Sequence, residues 1–286
     1  MKLVAFSSVG ADPTVGLLVD RGVVSLAELV GNAASPQAAM RTLIDGFDSL
    51  RPRLERLAPD APATPMDQVQ LLAPLYPGKI LCSVGAYAPL NGAEPAPLLM
   101  TLKSAESVIG PDETIHLPDV DSSWEFVAEA ELGVVIRGPA KQVAAAEWQS
   151  AVFGYTCVVD VMGRGDTTFG RDYWLAKADT LGPLGPCIVT ADEVVDPNLL
   201  RVRSWQNGQA RQDFSVGEAV HGPSKLVEFA TTIMTLYSGD VLACGTSPVG
   251  LQPLGDGDSL EVGIDGIGRL PLRVAAPSPA ARLREV

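Results

Sequence analysis

The sequence predicts an α+β chain that is predominantly β, with a small N-terminal α/β unit ahead of a larger strand-rich body. Three observations predict it. Glycine (28) and proline (23) are numerous among the 286 residues, and many fall between short apolar runs, as in strands joined by turns. Residues 126–136 alternate with period two, the repeat of a strand. Residues 58–65, APDAPATP, form a Pro-rich stretch and the best candidate for a boundary. Hydrophobic residues make up 47% of the chain and charged ones 19%, so a sizeable core is available and intrinsic disorder is excluded.

Residues 1–75 read as the small unit. Residues 2–6 and 15–20 have strand character, and 23–25 continue a hairpin after the Asp20-Arg21-Gly22 turn. A helix follows over 36–57, with apolar positions at Met40, Leu43, Ile44, Phe47, Leu50 and Leu54. Residues 76–275 form the larger body. Strands are expected at 79–84, 126–136, 152–161, 241–245 and 259–264, with a helix at 225–236. The tail from 276 to 286, rich in Ala and Pro, is expected to fray.

A net charge of −13 without a Lys/Arg cluster argues against nucleic acid and anionic membranes as partners. The same charge serves solubility, and a small anionic substrate would need a local positive centre. Cys82, Cys157, Cys187 and Cys244 are widely spaced and three lie in apolar runs, as expected of reduced core thiols. The N-terminus has no signal-peptide character and no run of about 20 apolar residues occurs, so a cytoplasmic protein is expected.

The alternation at 126–136 carries the first chemical signal. Phe126, Ala128, Ala130, Leu132, Val134 and Ile136 fall on one face, and Val127, Glu129, Glu131, Gly133 and Val135 on the other. Glu129 and Glu131 therefore project together, roughly 6–7 Å apart, behind a wholly apolar face. Two like charges beside a hydrophobic layer are costly unless something positive lies between them. Asp160, closing the apolar run GYTCVVD, is similarly out of place. A cation with all-oxygen ligands resolves both anomalies. With no His or Cys nearby, Mg²⁺, Mn²⁺ or Ca²⁺ fits better than Zn²⁺. An exposed E-x-E strand face with Asp160 in a turn is the alternative that spacing alone leaves open.

The flanking segments weigh against that alternative. KILCSVGAY, PLLMTLKSAESVIGP, EAELGVVI, GYTCVVDV, KADTLGPLGP, QNGQARQD and SGDVLACGTSPVG resemble, in order, the successive motifs of the fumarylacetoacetate hydrolase family. The resemblance runs from about residue 78 to 274, with a weaker match over the first 30 residues. It implies a mixed β-roll catalytic domain, commonly homodimeric, with a divalent cation held by Glu129, Glu131 and Asp160. It also implies that Lys177 reaches towards metal and substrate oxygens, where a cation would stabilise an enolate. Arg164 corresponds to an arginine that approaches substrate, and Thr246 to a threonine on the substrate carboxylate. Gly245 and Pro248 belong to the same tight loop. Lys103 matches a lysine near the sheet, equally readable as structural.

The resemblance fails at the lid. Hydrolytic members carry N-Y-x-x-H with a Glu shortly beyond, and that His–Glu pair activates water. Here the segment reads GAYAPLNGAEPAP: Tyr87 is kept, Ala86 replaces the Asn, and Leu90 stands where the His should be. Glu94 falls close to the lid Glu and could act as a base if its surroundings tune it. His116 reads as a structural strand residue, and His221 as a loop residue that could swing towards the site. The segments after Arg164 and Asp213 also depart from the family wording. No G-x-S-x-G occurs, which weighs against a serine hydrolase. The expected function is a metal-dependent enzyme acting on a small 1,3-dicarbonyl or 2-oxo acid. It would work by C–C hydrolysis, or by decarboxylation, tautomerisation or lyase chemistry through an enolate. The alternative is a binding protein that kept the fold and lost catalysis.

Overall fold

The computed structural model describes residues 1–31, 33–120 and 123–277. The tail expected to fray lies, beyond residue 277, outside them.

The chain opens with three antiparallel strands, β1 (Lys2–Ser8), β2 (Ala11–Val19) and β3 (Gly22–Ser25). Gly22 has φ +132°, and a Cβ there would fall 2.0 Å from the Thr64 carbonyl oxygen; Thr64 pairs with Val23, so only glycine fits. After α1 (Ala27–Val30), helix α2 (Pro36–Asp60) starts with Pro36 in its first turn and Ser35 accepting from the Ala38 amide. Met40, Leu43, Ile44, Phe47 and Leu54 are buried, as their helical spacing predicts.

The helix runs three residues past the expected end, into the Pro-rich stretch. Two contacts account for this. Leu57 and Ala58 still pack on the core. The Arg21 guanidinium, from the β2–β3 turn, donates to the carbonyls of Ala58 (2.9 Å), Pro59 and Ala61 (2.7 Å), groups that a helix end otherwise leaves unpaired.

Strand β4 (Val69–Leu72) pairs with β1, and β1 also pairs with β10 (Leu184–Thr190), with Lys2 opposite Val189. The sheet is thus continuous across residue 75. It proceeds from β10 through β9 (Val152–Arg164), β8 (Glu125–Ile136), β13 (Val241–Ala243) and β5 (Ile80–Val84) to β6 (Leu99–Lys103), ten strands in all. A five-stranded sheet holds β12 (Gln209–Ser215), β11 (Arg201–Gln206), β14 (Ser259–Ile264), β15 (Gly268–Ala275) and β7 (Thr114–His116) in that order. Helices α3 (Arg171–Leu175) and α4 (Pro223–Ile233) complete the chain.

The two faces of β8 enter two cores, as the alternation predicts. Ala130, Leu132 and Val134 pack with Val202, Val262 and Leu272 of the five-stranded sheet. Val135 joins Leu43, Ile44 and Phe47 of α2, where Phe47 meets Phe153 edge-on at 5.1 Å. Each such side chain contributes roughly 1.5–3 kcal/mol on burial. All four cysteines are free and buried. No helix among the described residues is long and apolar enough to cross a membrane.

Candidate metal centre and substrate cavity

Strands β8 and β9 pair antiparallel with Glu129 directly opposite Asp160. Directly opposed residues of such a pair share a face, with Cβ atoms about 4.5–5.5 Å apart. Period-two geometry adds Glu131 to that face, and a carboxylate oxygen from each of the three lies within 4.8 Å of the others.

Glu131 is fully buried. Its Oε2 accepts from the Gly245 amide at 2.5 Å, while Oε1 is buried without a hydrogen-bond partner. Burial pushes its carboxyl well above the usual range, the Asp160 and Glu129 charges add to this, and the Gly245 N–H opposes it. Burial also pushes Glu129 up, to about 7, helped by the Asp160 charge and opposed by Arg164 and Lys103. Arg164, at the end of β9, forms an ion pair with Glu129, whose side chain is only 14% exposed. Asp160 is held by Lys103, whose Nζ lies 2.5 Å from Oδ1 and also donates to the carbonyls of Ala176 (2.7 Å) and Val161 (3.2 Å).

Three converging carboxylates against two cations leave the centre short of positive charge, and the orphaned Glu131 Oε1 has no donor. A hard divalent cation fits this oxygen donor set. Glu129, Glu131 and Asp160 would hold it.

The centre opens into a cavity of about 260 Å³ whose lining includes Glu129, Asp160 and Arg164. A larger cavity, about 520 Å³, lies against β14 and β15 near Trp205 and Arg269. It contains none of the three carboxylates, so the chemistry points to the smaller one.

Tyr87, Gly245 and Thr246 also line the smaller cavity. Tyr87 is buried, sets its ring edge-on to Phe214 at 5.1 Å, and donates from its hydroxyl to the Ser215 carbonyl at 3.4 Å. Thr246 Oγ1 accepts from Gln212 Nε2 at 2.8 Å. Gly245 has φ +82°, and a Cβ there would lie 2.6 Å from Ala86 Cβ and 2.8 Å from Ser83 Oγ.

The remaining expected residues stand apart. Lys177 is half-buried and donates to the Leu102 carbonyl, outside the cavity lining. Glu94 is exposed in the 85–98 connection, also outside the lining. His116 lies on β7, its amide bonded to Thr180 Oγ1 at 2.8 Å. His221 Nε2 sits 3.1 Å from the Ala96 carbonyl, and its own amide donates to the Ala86 carbonyl at 3.2 Å. It therefore ties down both ends of the 85–98 connection.

Sequence reasoning left the role of Lys103 open and missed Ser83 and Asp172. Both missed residues line the cavity and carry a buried oxygen with no hydrogen-bond partner. A lone serine within the apolar ILCSV strand was a readable signal for Ser83; Asp172 had none.

A family model for the fumarylacetoacetate (FAA) hydrolase C-terminal domain matches residues 81–275. A mitochondrial oxaloacetate tautomerase of Rattus norvegicus is 32% identical over 284 residues, covering 94% of this chain and 90% of its own. The crystal structure of maleylpyruvate hydrolase from Sphingobium sp. SYK-6 with manganese(II) and pyruvate is 31% identical. Its TM-score is 0.85, with 97% of this chain and 100% of that one covered. The 5-carboxymethyl-2-hydroxymuconate delta-isomerase of Mycobacterium smegmatis is 28% identical, with a TM-score of 0.77 over 97% and 100%. With its mostly β architecture and a family match over most of its length, the chain belongs to the fumarylacetoacetate hydrolase family, whose named relatives are enzymes.

Proposed function

We propose that this protein is a divalent-metal-dependent enzyme, using Mg²⁺ or Mn²⁺, that takes a small 2-oxo acid or 1,3-dicarbonyl through an enolate, formed by loss of a proton in tautomerisation or by loss of CO₂ from a carboxylate β to the ketone in decarboxylation. The observation that carries the reading is the convergence of Glu129, Glu131 and Asp160 within 4.8 Å at a cavity that Arg164 also lines. A bound cation would polarise the substrate ketone and stabilise the charge that builds on its oxygen.

The chain supplies the rest. The Arg164 guanidinium, half-exposed beyond its bond to Glu129, offers further donors to a substrate carboxylate. The Thr246 hydroxyl lies beside the same space, and the buried ring of Tyr87 closes a wall against water. Lys103 fixes Asp160 and offsets part of the site's negative charge.

Neither histidine lines the cavity, which favours enolisation over water activation. Hydrolysis is the second reading, favoured by the likeness to a maleylpyruvate hydrolase. Four free, buried thiols support a reducing compartment such as the cytoplasm. The family resemblance supports a homodimer, which sedimentation would check.

One assay separates the readings: 2-oxo acids and acylpyruvates incubated with protein and Mg²⁺, followed by NMR. Tautomerisation or CO₂ loss without acid release from acylpyruvates is the expected result. Acylpyruvate cleavage to two acids would favour hydrolysis. Metal binding without turnover of any substrate would leave the binding-protein alternative. Full turnover after exhaustive chelation would overturn the metal-dependent reading.

A further inference from the structure

We propose that the Asp172 carboxylate carries the proton to and from the substrate carbon. The inference rests on the enolising reaction proposed above.

Asp172 lies in the first turn of α3, on the stretch joining Arg164 to Lys177. It lines the same cavity as Glu129, Asp160 and Arg164, and its Oδ1 is buried with no hydrogen-bond partner. The other ionisable groups lining that cavity are engaged. Glu129 and Arg164 pair with each other, Asp160 is held by Lys103, and Tyr87 donates to the Ser215 carbonyl. Tyr173, the neighbour of Asp172, has a phenol pushed up by burial and by the Asp172 and Glu129 charges, with Arg164 opposing, so it keeps its proton. Glu94, the base expected from sequence, is exposed and outside the cavity. Among the described residues lining the cavity, Asp172 is the carboxylate that combines an unpartnered oxygen with freedom from the cation-binding set.

Asp172 as a whole is only part-buried, but a carboxylate oxygen shut off from water without a partner is costly to keep in a structural role. Lining the substrate cavity, the Asp172 carboxylate is a base in place. It accepts the proton from the carbon next to the ketone. The C–H bond breaks, its electron pair becomes the C=C bond, and the ketone π pair moves onto oxygen. Passing that proton from the Asp172 carboxyl to the oxygen yields the enol and restores the carboxylate. Returning it to carbon restores the ketone. No oxidant or co-reactant is required.

The test uses pyruvate, whose methyl protons report the same step by exchange with D₂O. Wild type, Asp172→Asn and Asp172→Glu are compared with Mn²⁺ by proton NMR, after subtracting exchange due to Mn²⁺ alone. Mn²⁺ and pyruvate binding are followed in parallel by water-proton relaxation, and folding by thermal melting. Asp172→Asn should slow exchange by about 10²–10⁴-fold, with Mn²⁺ and pyruvate affinities held within about threefold. Asp172→Glu should recover part of the rate. Exchange at the wild-type rate in Asp172→Asn would overturn the proposal, as would parallel loss of Mn²⁺ or pyruvate binding, which would make Asp172 a structural residue. A wild-type protein that binds Mn²⁺ and pyruvate yet exchanges nothing also overturns it. If wild type binds no Mn²⁺ at all, the metal-dependent reading itself fails and takes the proposal with it.

Discussion

Glu129, Glu131 and Asp160 stand on two strands paired along their length, whereas Tyr87 and Thr246 stand on connections between elements and Asp172 on the short helix α3. Of the first group, the floor, Glu129 and Asp160 line the cavity and Glu131 is fully buried; all three of the second group, the rim, line it. On the floor, backbone ladders fix every Cβ before any side chain meets its partner, and Lys103 and the Gly245 amide hold two of the carboxylates. At the rim, positions depend on a positive φ at Gly245, on His221 tying down the 85–98 connection, and on a five-residue helix. The contrast teaches a division of labour. The floor determines that a cation binds, and the rim determines what is done with it.

Substitutions can break that division. The largest effect is expected at Glu131. Glu131→Gln should cut turnover by about 10³-fold or more and abolish Mn²⁺ binding in calorimetry. The metal-free protein should melt no lower, because a neutral amide of the same shape replaces a carboxyl whose ionisation burial opposes. A Glu131→Gln protein that keeps its Mn²⁺ affinity would break the comparison on the floor side.

Next comes Lys103→Met, which leaves Asp160 buried without its cation. The metal-free protein should lose about 3–5 kcal/mol in denaturant melts, and saturating Mn²⁺ should recover part of that. A loss well under 1 kcal/mol would make the ion pair incidental.

The pH dependence sharpens the same point. The Glu129 carboxyl is raised in the folded state to about 7, above its ordinary 4.5. Its protonated form therefore contributes stability that is fully present below about 4.5 and lost as pH rises through about 7. Bound Mn²⁺ replaces those protons. The melting temperature of metal-free protein should fall between about pH 4.5 and 7, and the increment given by Mn²⁺ should grow over the same range. An increment that shrinks with pH would contradict the assignment.

Smaller effects belong to the rim. Gly245→Ala places a Cβ against Ala86 and Ser83 at positive φ, and should cost roughly 1–3 kcal/mol, with weaker Mn²⁺ binding through the displaced amide. Tyr87→Phe removes one long hydrogen bond. It should change stability by less than about 1.5 kcal/mol and shift KM more than kcat.

Much of the floor was legible in the sequence, because strands have a strict period. E-x-E within an apolar alternation puts both glutamates on one face without any knowledge of the fold. What periodicity could not supply was register. That Asp160 sits opposite Glu129, and that Lys103 reaches Asp160 from 57 residues away, depends on how separate strands pair. In the fold, β11 was missed because its inward positions alternate with Arg201 and Arg203, so no apolar run marks it. Strand β10 was not expected from the sequence, because the Gly and Pro within LGPCIVT interrupt its apolar run. At the rim, the resemblance supplied Tyr87, Gly245 and Thr246. It also pointed to Lys177, whose amine the structure places on the Leu102 carbonyl. Asp172 was invisible because a single carboxylate in an irregular stretch has no period to violate.

The central claim is that the strand-borne carboxylates form one cation site. Titrating metal-stripped wild-type protein and Glu131→Gln with Mn²⁺ at pH 7.5, with free ion read by electron paramagnetic resonance, tests it directly. The account predicts saturable binding of a single ion per chain in wild type and none in Glu131→Gln. Unsaturable binding in wild type, or equal binding in both proteins, would contradict it.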